Sequence, residues 1–197
     1  MELIQDTAGL SAYLAADETV DHRHPAVRRT AARLADGTGD ACSYAHAAYE
    51  FVRDTITHSA DADDPRVTWR ASDVLEQGTG ICHAKAHALA ALLRAGGIPA
   101  ALCYQRLTDD TGTGHVLHGL VAVHLRGAWH RQDPRGNKPG VDARFSLEGE
   151  RLAWVPDTGA GEEDHPVLFA APHPAVLGAL MSAPDRPSLW RTLPDSL

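Results

Sequence analysis

The sequence predicts an α+β fold in which N-terminal helices pack on an antiparallel sheet. Three observations carry this. Apolar residues recur at helical spacing through roughly the first half of the chain. A glycine-flanked helix follows, and then come three β-rich runs, two of them joined by a two-residue turn signal. The 197 residues suffice for one compact domain, with 44% apolar and 22% charged residues, near the globular norm. We expect a single domain over 1–197, with its core at about 20–140 and the segment 150–197 packed on it.

Residues 1–24 read as an irregular or partly helical lead-in. Pro25 suits the first turn of a helix that carries Val27, Ala31 and Leu34 and ends at Gly37. Asp40 is a candidate N-cap for a second helix through about Thr57, with Tyr44, Ala48, Val52 and Ile56 spaced by four. The polar stretch SADADDPRVTW reads as a loop. The third helix lies between Gly78/Gly80 and Gly96-Gly97, and Cys82, Ala86, Leu89 and Leu93 form its apolar stripe. IPAALCYQ, HVLHGLVAVHL and AWHRQDP read as strands. Arg126-Gly127 is the turn between the last two, with glycine at the position that a type I′ turn favours. Beyond residue 134 the chain is rich in Pro, Gly and acids. There GAGEEDHP reads as an exposed loop. Pro174 to Ser182 reads as a short helix with Val176, Leu177, Leu180 and Met181 on its apolar side. The end, SLWRTLPDSL, is apolar enough to pack on the body.

Composition narrows the function. A formal charge of −8 argues against a nucleic-acid or anionic-membrane partner. The N-terminus has no basic and apolar signal-peptide pattern, and no run reaches the length of a membrane span. Three cysteines, Cys42, Cys82 and Cys103, form no CxxC pair and no disulfide framework, so a reducing cytoplasm is the expected location.

Cys82 stands where unpaired backbone N–H groups and the positive end of a helix dipole lower a thiol's pKa. The flanking Gly78 and Gly80 would let a substrate carbonyl approach the backbone, with the Cys82 N–H facing a developing oxyanion. Cys42 and Cys103 lack this setting and read as core residues. If the hairpin loop is Arg126-Gly127, Leu125 pairs with Ala128, His118 lies opposite Arg135, and Leu120 lies opposite Asp133. His118 and Asp133 are then diagonal neighbours on one face, roughly 5.5–8 Å apart between backbones, within hydrogen-bonding reach. A loop of odd length would reverse that parity. The carboxylate would hold one imidazole nitrogen and leave the other for the thiol. His115, His124 and His130 compete less well by face or position. His83 and His87, four apart on a helix, lack further metal ligands of suitable spacing. No calcium loop is evident, and Asp61–Asp64 reads as a solvated acidic stretch.

These residues resemble the transglutaminase-like superfamily, in particular its bacterial cytosolic cysteine enzymes. ASDVLEQGTGICHAKAHALAALLRAGGIPA is similar to the family's cysteine helix. HGLVAVHLRGAWHRQDPRG is similar to its histidine strand, G-x-W hairpin and D-P ending. The resemblance spans about 20–140. It implies a papain-like core with Cys82 as nucleophile, His118 as general base and acid, and Asp133 as the orienting carboxylate. It further implies acyl transfer on a peptide or small-molecule amide, with no cofactor and no metal. The alternative is a catalytically silent binding protein of the same family. The family often carries an aromatic residue two positions after the histidine, where this chain has Leu120. No motif marks the second oxyanion donor. Gly80, Gln105, Tyr104 and His58 are the tentative substrate-binding residues.

Overall fold

The computed structural model describes residues 1–109 and 111–197. Three helices lead into the buried one: α1 (Pro25–Ala35), α2 (Ala41–Thr55) and α3 (Ala71–Gln77) precede α4 (Cys82–Ala95). Pro25 occupies the first turn of α1, where its missing N–H costs nothing. Asp40 caps α2 through a capping box, accepting from the Ser43 N–H at 2.8 Å while Ser43 Oγ accepts from the Asp40 N–H at 3.1 Å. α3 ends at Gly78, left-handed at φ 68°.

The main sheet has the order β6-β5-β4-β7, all antiparallel, from β4 (Ala100–Thr108), β5 (His115–Leu125), β6 (Ala128–Gln132) and β7 (Glu163–Asp164). Two short parallel pairs complete the strands. β1 (Ile4–Gln5) pairs with β8 (Val167–Leu168), and β2 (Thr57–His58) with β3 (Thr79–Gly80). The first ties the N-terminal lead-in to the C-terminal part. The hairpin loop is Arg126-Gly127, both at positive φ (52° and 79°), and Leu125 pairs with Ala128, as the parity argument required.

α4 packs on one face of the sheet and α1–α3 pack around it, closing a core of Ala and Leu from α4 against Leu102, Val121 and Val123. Tyr13, from a 3-10 turn at Ala12–Leu14, packs on the other face with Cys103, Leu120 and Leu168. A third cluster joins Ile81, Tyr104 and Leu117 to α5 (Pro174–Ser182) and α6 (Arg186–Trp190) through Val176, Leu180 and Leu189. The C-terminal segment thus packs on the body. α5 departs from its expected apolar side, because Leu177 is half-buried and Met181 is exposed.

Two loop readings change. GAGEEDHP is not wholly an exposed loop. Its Glu163–Asp164 form β7 on β4, and Asp164 accepts from the buried Arg131 at 2.5 Å, so the acid is held by a cation rather than by water. Asp61 is not simply solvated either. It takes two hydrogen bonds from the buried Arg135 (2.5 and 2.8 Å) and one from Lys138 (3.0 Å).

Candidate active site

β6 ends at Gln132, opposite Val121, which leaves the outer edge of β5 unpaired by β6 at residues 117–119. That gap seats the start of α4. The Leu117 N–H donates to the Pro194 carbonyl along this edge at 3.2 Å, and the Gly119 N–H addresses the Cys82 thiol. The close approach depends on Gly119. A Cβ there would lie 2.5 Å from His83 Nδ1 and 2.9 Å from His83 Cα. No side chain caps α4 at Ile81, so its first-turn N–H groups keep their positive end directed at the cysteine.

His118 and Asp133 come together as the hairpin parity requires. His118 Nε2 donates to Asp133 Oδ2 at 2.9 Å, because an ionised carboxylate only accepts. The other ring nitrogen is left for Cys82. Asp133 is fully buried, His118 is 4% exposed, and Cys82 is half-buried. The carboxylate is amply satisfied. Oδ1 accepts from the Arg135 N–H and Oδ2 from the Ala153 N–H, each at 3.0 Å, and the Tyr49 hydroxyl donates to the Asp133 carbonyl at 2.9 Å.

Electrostatics follow from this packing. Burial alone would push the Cys82 thiol up, but the His118 charge and hydrogen bond and the Gly119 N–H outweigh it, and the thiol lies below its ordinary value. Burial likewise opposes a charged His118. The Asp133 carboxylate and the Cys82 sulfur reverse that and raise the imidazole to about 10. Asp133, though desolvated, is held below the ordinary carboxylate range by His118 and the two backbone N–H groups. The three groups favour a thiolate–imidazolium pair anchored by a carboxylate. Cys103 differs in kind, since burial pushes its thiol up to about 12. Cys42 lies in the first turn of α2, behind Gly37 and Gly39, and is half-buried against the edge of the main core rather than inside it.

The tentative substrate residues separate. His58 pairs with Gly80 on the strand leading to Cys82. It is buried, lacks a hydrogen-bond partner at Nδ1, and is pushed down to about 3 by desolvation and the Arg135 charge. Gly80 itself is buried, and a Cβ there would stand 3.0 Å from Ala84 Cβ and from Thr68 Oγ1. Its role is close packing of β3 on α4, rather than an open approach for a substrate. Gln105 is fully buried, and its amide donates to Asp164 Oδ1 at 2.9 Å and the Trp154 carbonyl at 3.4 Å, which leaves no free donor for an oxyanion. Tyr104 is buried beside His83, and its hydroxyl accepts from the His173 N–H at 3.0 Å. Those two work in packing because β4 carries them into the body of the sheet.

The remaining histidines are engaged elsewhere. His115 meets the Ala160 carbonyl, His130 the Leu125 carbonyl, and His124 packs on Trp129. His87 Nδ1 meets the Trp69 carbonyl at 2.8 Å, whereas His83 is buried between Gly119 and Tyr104. Among the described residues no group of three or more His, Cys, Asp or Glu is arranged to hold a metal ion, and no helix is long and apolar enough to cross a membrane.

Sequence reasoning missed Gly119, Lys85 and Trp154. A glycine inside an otherwise apolar strand is a readable signal of close backbone approach. Lys85, in a helix of Ala and Leu, is another anomaly. It is fully buried and donates to the carbonyls of Arg53 and Ile56 at the end of α2. Trp154 has no local signal. Its ring meets that of His118 edge-to-face, 4.9 Å between centroids and 87° between planes.

Comparison with known proteins bears on the family and the fold. The family model of the transglutaminase-like superfamily matches residues 28–134, more than half of the chain. No curated protein matches. Among solved structures, the chain is similar to a candidate cysteine protease from Cytophaga hutchinsonii, with 18% identity and a TM-score of 0.55, over 68% of this chain and 46% of that one. It also matches a candidate protease from Parabacteroides distasonis at 17% identity and a TM-score of 0.42, over 62% of this chain and 24% of that one. The chain therefore spans less than half the length of either protein, and the first shares its fold. With the family model covering the helices, the cysteine turn and the hairpin together, the chain belongs to the transglutaminase-like superfamily.

Proposed function

We propose that this chain is a cysteine-dependent acyl-transfer enzyme that cleaves or transfers amide bonds of a peptide or small molecule. One observation carries the reading: a half-buried cysteine at an uncapped helix start, its thiol lowered by a histidine that a buried aspartate holds at 2.9 Å. Cys82 Sγ attacks the carbonyl carbon, and the C=O π pair moves to oxygen, toward the first-turn N–H groups of α4. As the tetrahedral intermediate collapses, the C–N bond breaks and His118 gives its proton to the leaving nitrogen. The remaining thioester is resolved by water or an amine, whose proton returns to His118. Asp133 keeps the imidazole oriented throughout and does not itself take the proton.

The test is the pH profile of Cys82 alkylation by iodoacetamide, followed by mass spectrometry of acyl-enzyme formed from a library of amides and peptides. We expect Cys82 to alkylate at pH 6 at least about tenfold faster than an ordinary thiol, because its pKa is lowered by His118 and the Gly119 N–H. His118→Ala and Asp133→Asn are expected to abolish that advantage. A wild-type profile like that of a free thiol, unchanged in His118→Ala, sinks the reading. An activated thiol that never acylates favours a binding protein instead.

A further inference from the structure

We propose that Trp154 is a positioning residue of this site, carried by the strap Glu150–Trp154 and sealing the His118–Asp133 hydrogen bond from water. The inference rests on the acyl-transfer reading above.

Leu120 stands two positions after the histidine. It packs with Tyr13, Cys103 and Leu168, and presents no aromatic ring to His118. Trp154 supplies that ring from a segment outside residues 28–134, where the family model matches. It lies edge-to-face on His118, and the Arg135 guanidinium sits 5.4 Å from its ring. The backbone on both sides is bonded to the site. The Ala153 N–H donates to Asp133 Oδ2, the same oxygen that accepts from His118. The Trp154 carbonyl accepts from Gln105, which pairs with His118 across β4 and β5.

The strap is also clamped. The buried Arg131 of β6 donates to both carboxylate oxygens of Glu150, at 2.6 and 2.7 Å, and to Asp164 Oδ1, which in turn accepts from Gln105. An anchor at each end of Glu150–Trp154 holds the ring where water would otherwise reach the imidazolium–carboxylate bond. Burial by itself opposes both charges, but the same low dielectric strengthens the pull of the Asp133 carboxylate and the Cys82 sulfur on the imidazolium, and it is that pull which keeps His118 charged and Cys82 ionised.

The test compares wild type with Trp154→Ala, Trp154→Leu and Trp154→Phe, each carrying Cys42→Ser so that alkylation reports Cys82. Circular dichroism and thermal melts identify the folded variants. Rates of iodoacetamide alkylation are measured from pH 4 to 10. The Leu variant keeps apolar bulk without an aromatic edge, and it decides the matter if the Ala variant does not fold. We expect the folded Leu or Ala variant to show a Cys82 midpoint raised by about one unit and a rate at pH 6 lowered about tenfold, with Phe restoring most of the loss. A folded Leu variant whose profile superimposes on wild type overturns the proposal and leaves the acyl-transfer reading intact. A wild-type profile like that of an ordinary thiol removes both at once, since no activated pair then exists to seal.

Discussion

Gly119 shows how much one absent methyl group decides. Every other interior position of β5 near it carries a side chain, yet here His83 of α4 occupies the space of a Cβ. Gly119→Ala must displace the α4 backbone or bend β5, because the 2.9 Å contact is to a backbone atom. Overpacking of this kind costs about 1–3 kcal/mol. It also withdraws the Gly119 N–H from Cys82. We expect a lowered melting temperature together with at least a tenfold loss of Cys82 alkylation at pH 6, read by calorimetry and mass spectrometry. A variant that loses stability but keeps the alkylation rate would show that β5 yields elsewhere. Cys82, His118 and Asp133 were legible as residues because each leaves a local mark: a helix start, and two same-face positions across a short turn. Gln105 and Tyr104 were not, because a polar side chain on a strand looks the same from its neighbours whether it faces a substrate or a buried partner.

At the scale of elements, α4 is held by more than apolar contact. Lys85, one turn past Cys82, binds the end of α2 through the carbonyls of Arg53 and Ile56. Burial, aided by Arg135, lowers its ammonium to about 7. In the unfolded chain the same amine stays protonated to about 10.5. Between these values the unfolded state holds the extra proton, so this group makes stability rise with pH. The site itself adds little slope in the neutral range: His118 gains the proton that Cys82 gives up, and the count is unchanged. We expect stability from urea unfolding to rise between pH 7 and 9 by no more than about 1.4 kcal/mol per pH unit, and Lys85→Met to flatten that rise. An equal slope in the variant would assign it to other groups. The boundaries of α1, α2, α4, β5 and α5 were close to their sequence readings because caps, prolines and glycines are local signals. β7 was not, because an acidic pair becomes a strand only when Arg131, far off in sequence, neutralises it.

The whole molecule buries three histidines in neutral form. His58 and His83 are pushed down to about 3 and His87 to about 4, in each case chiefly by desolvation. Unfolding frees all three to protonate near pH 6.5. Their contribution to stability is therefore present above that pH and lost as pH falls toward 4. His118 adds nothing in this window, being protonated in both states below 6.5, whereas Cys82 adds its own proton uptake wherever it is ionised in the native state, and the Asp133 contribution is lost only below the ordinary carboxylate range. We expect acid unfolding to take up close to three protons at pH 5 from these sites, measured by calorimetry in buffers of differing ionisation enthalpy. Uptake near zero would mean that these rings are already charged in the native state.

By itself the sequence determined the α+β class, the cysteine helix, the hairpin parity and the family resemblance, since each is written in spacings of a few residues. Tertiary structure alone decided what completes the site. Gly119 matters only because α4 enters the gap where β6 ends, and Trp154 only because Arg131 clamps its strap over His118. These contacts join residues whose local sequence carries no trace of the partner, and close packing brings them together only once the sheet has formed.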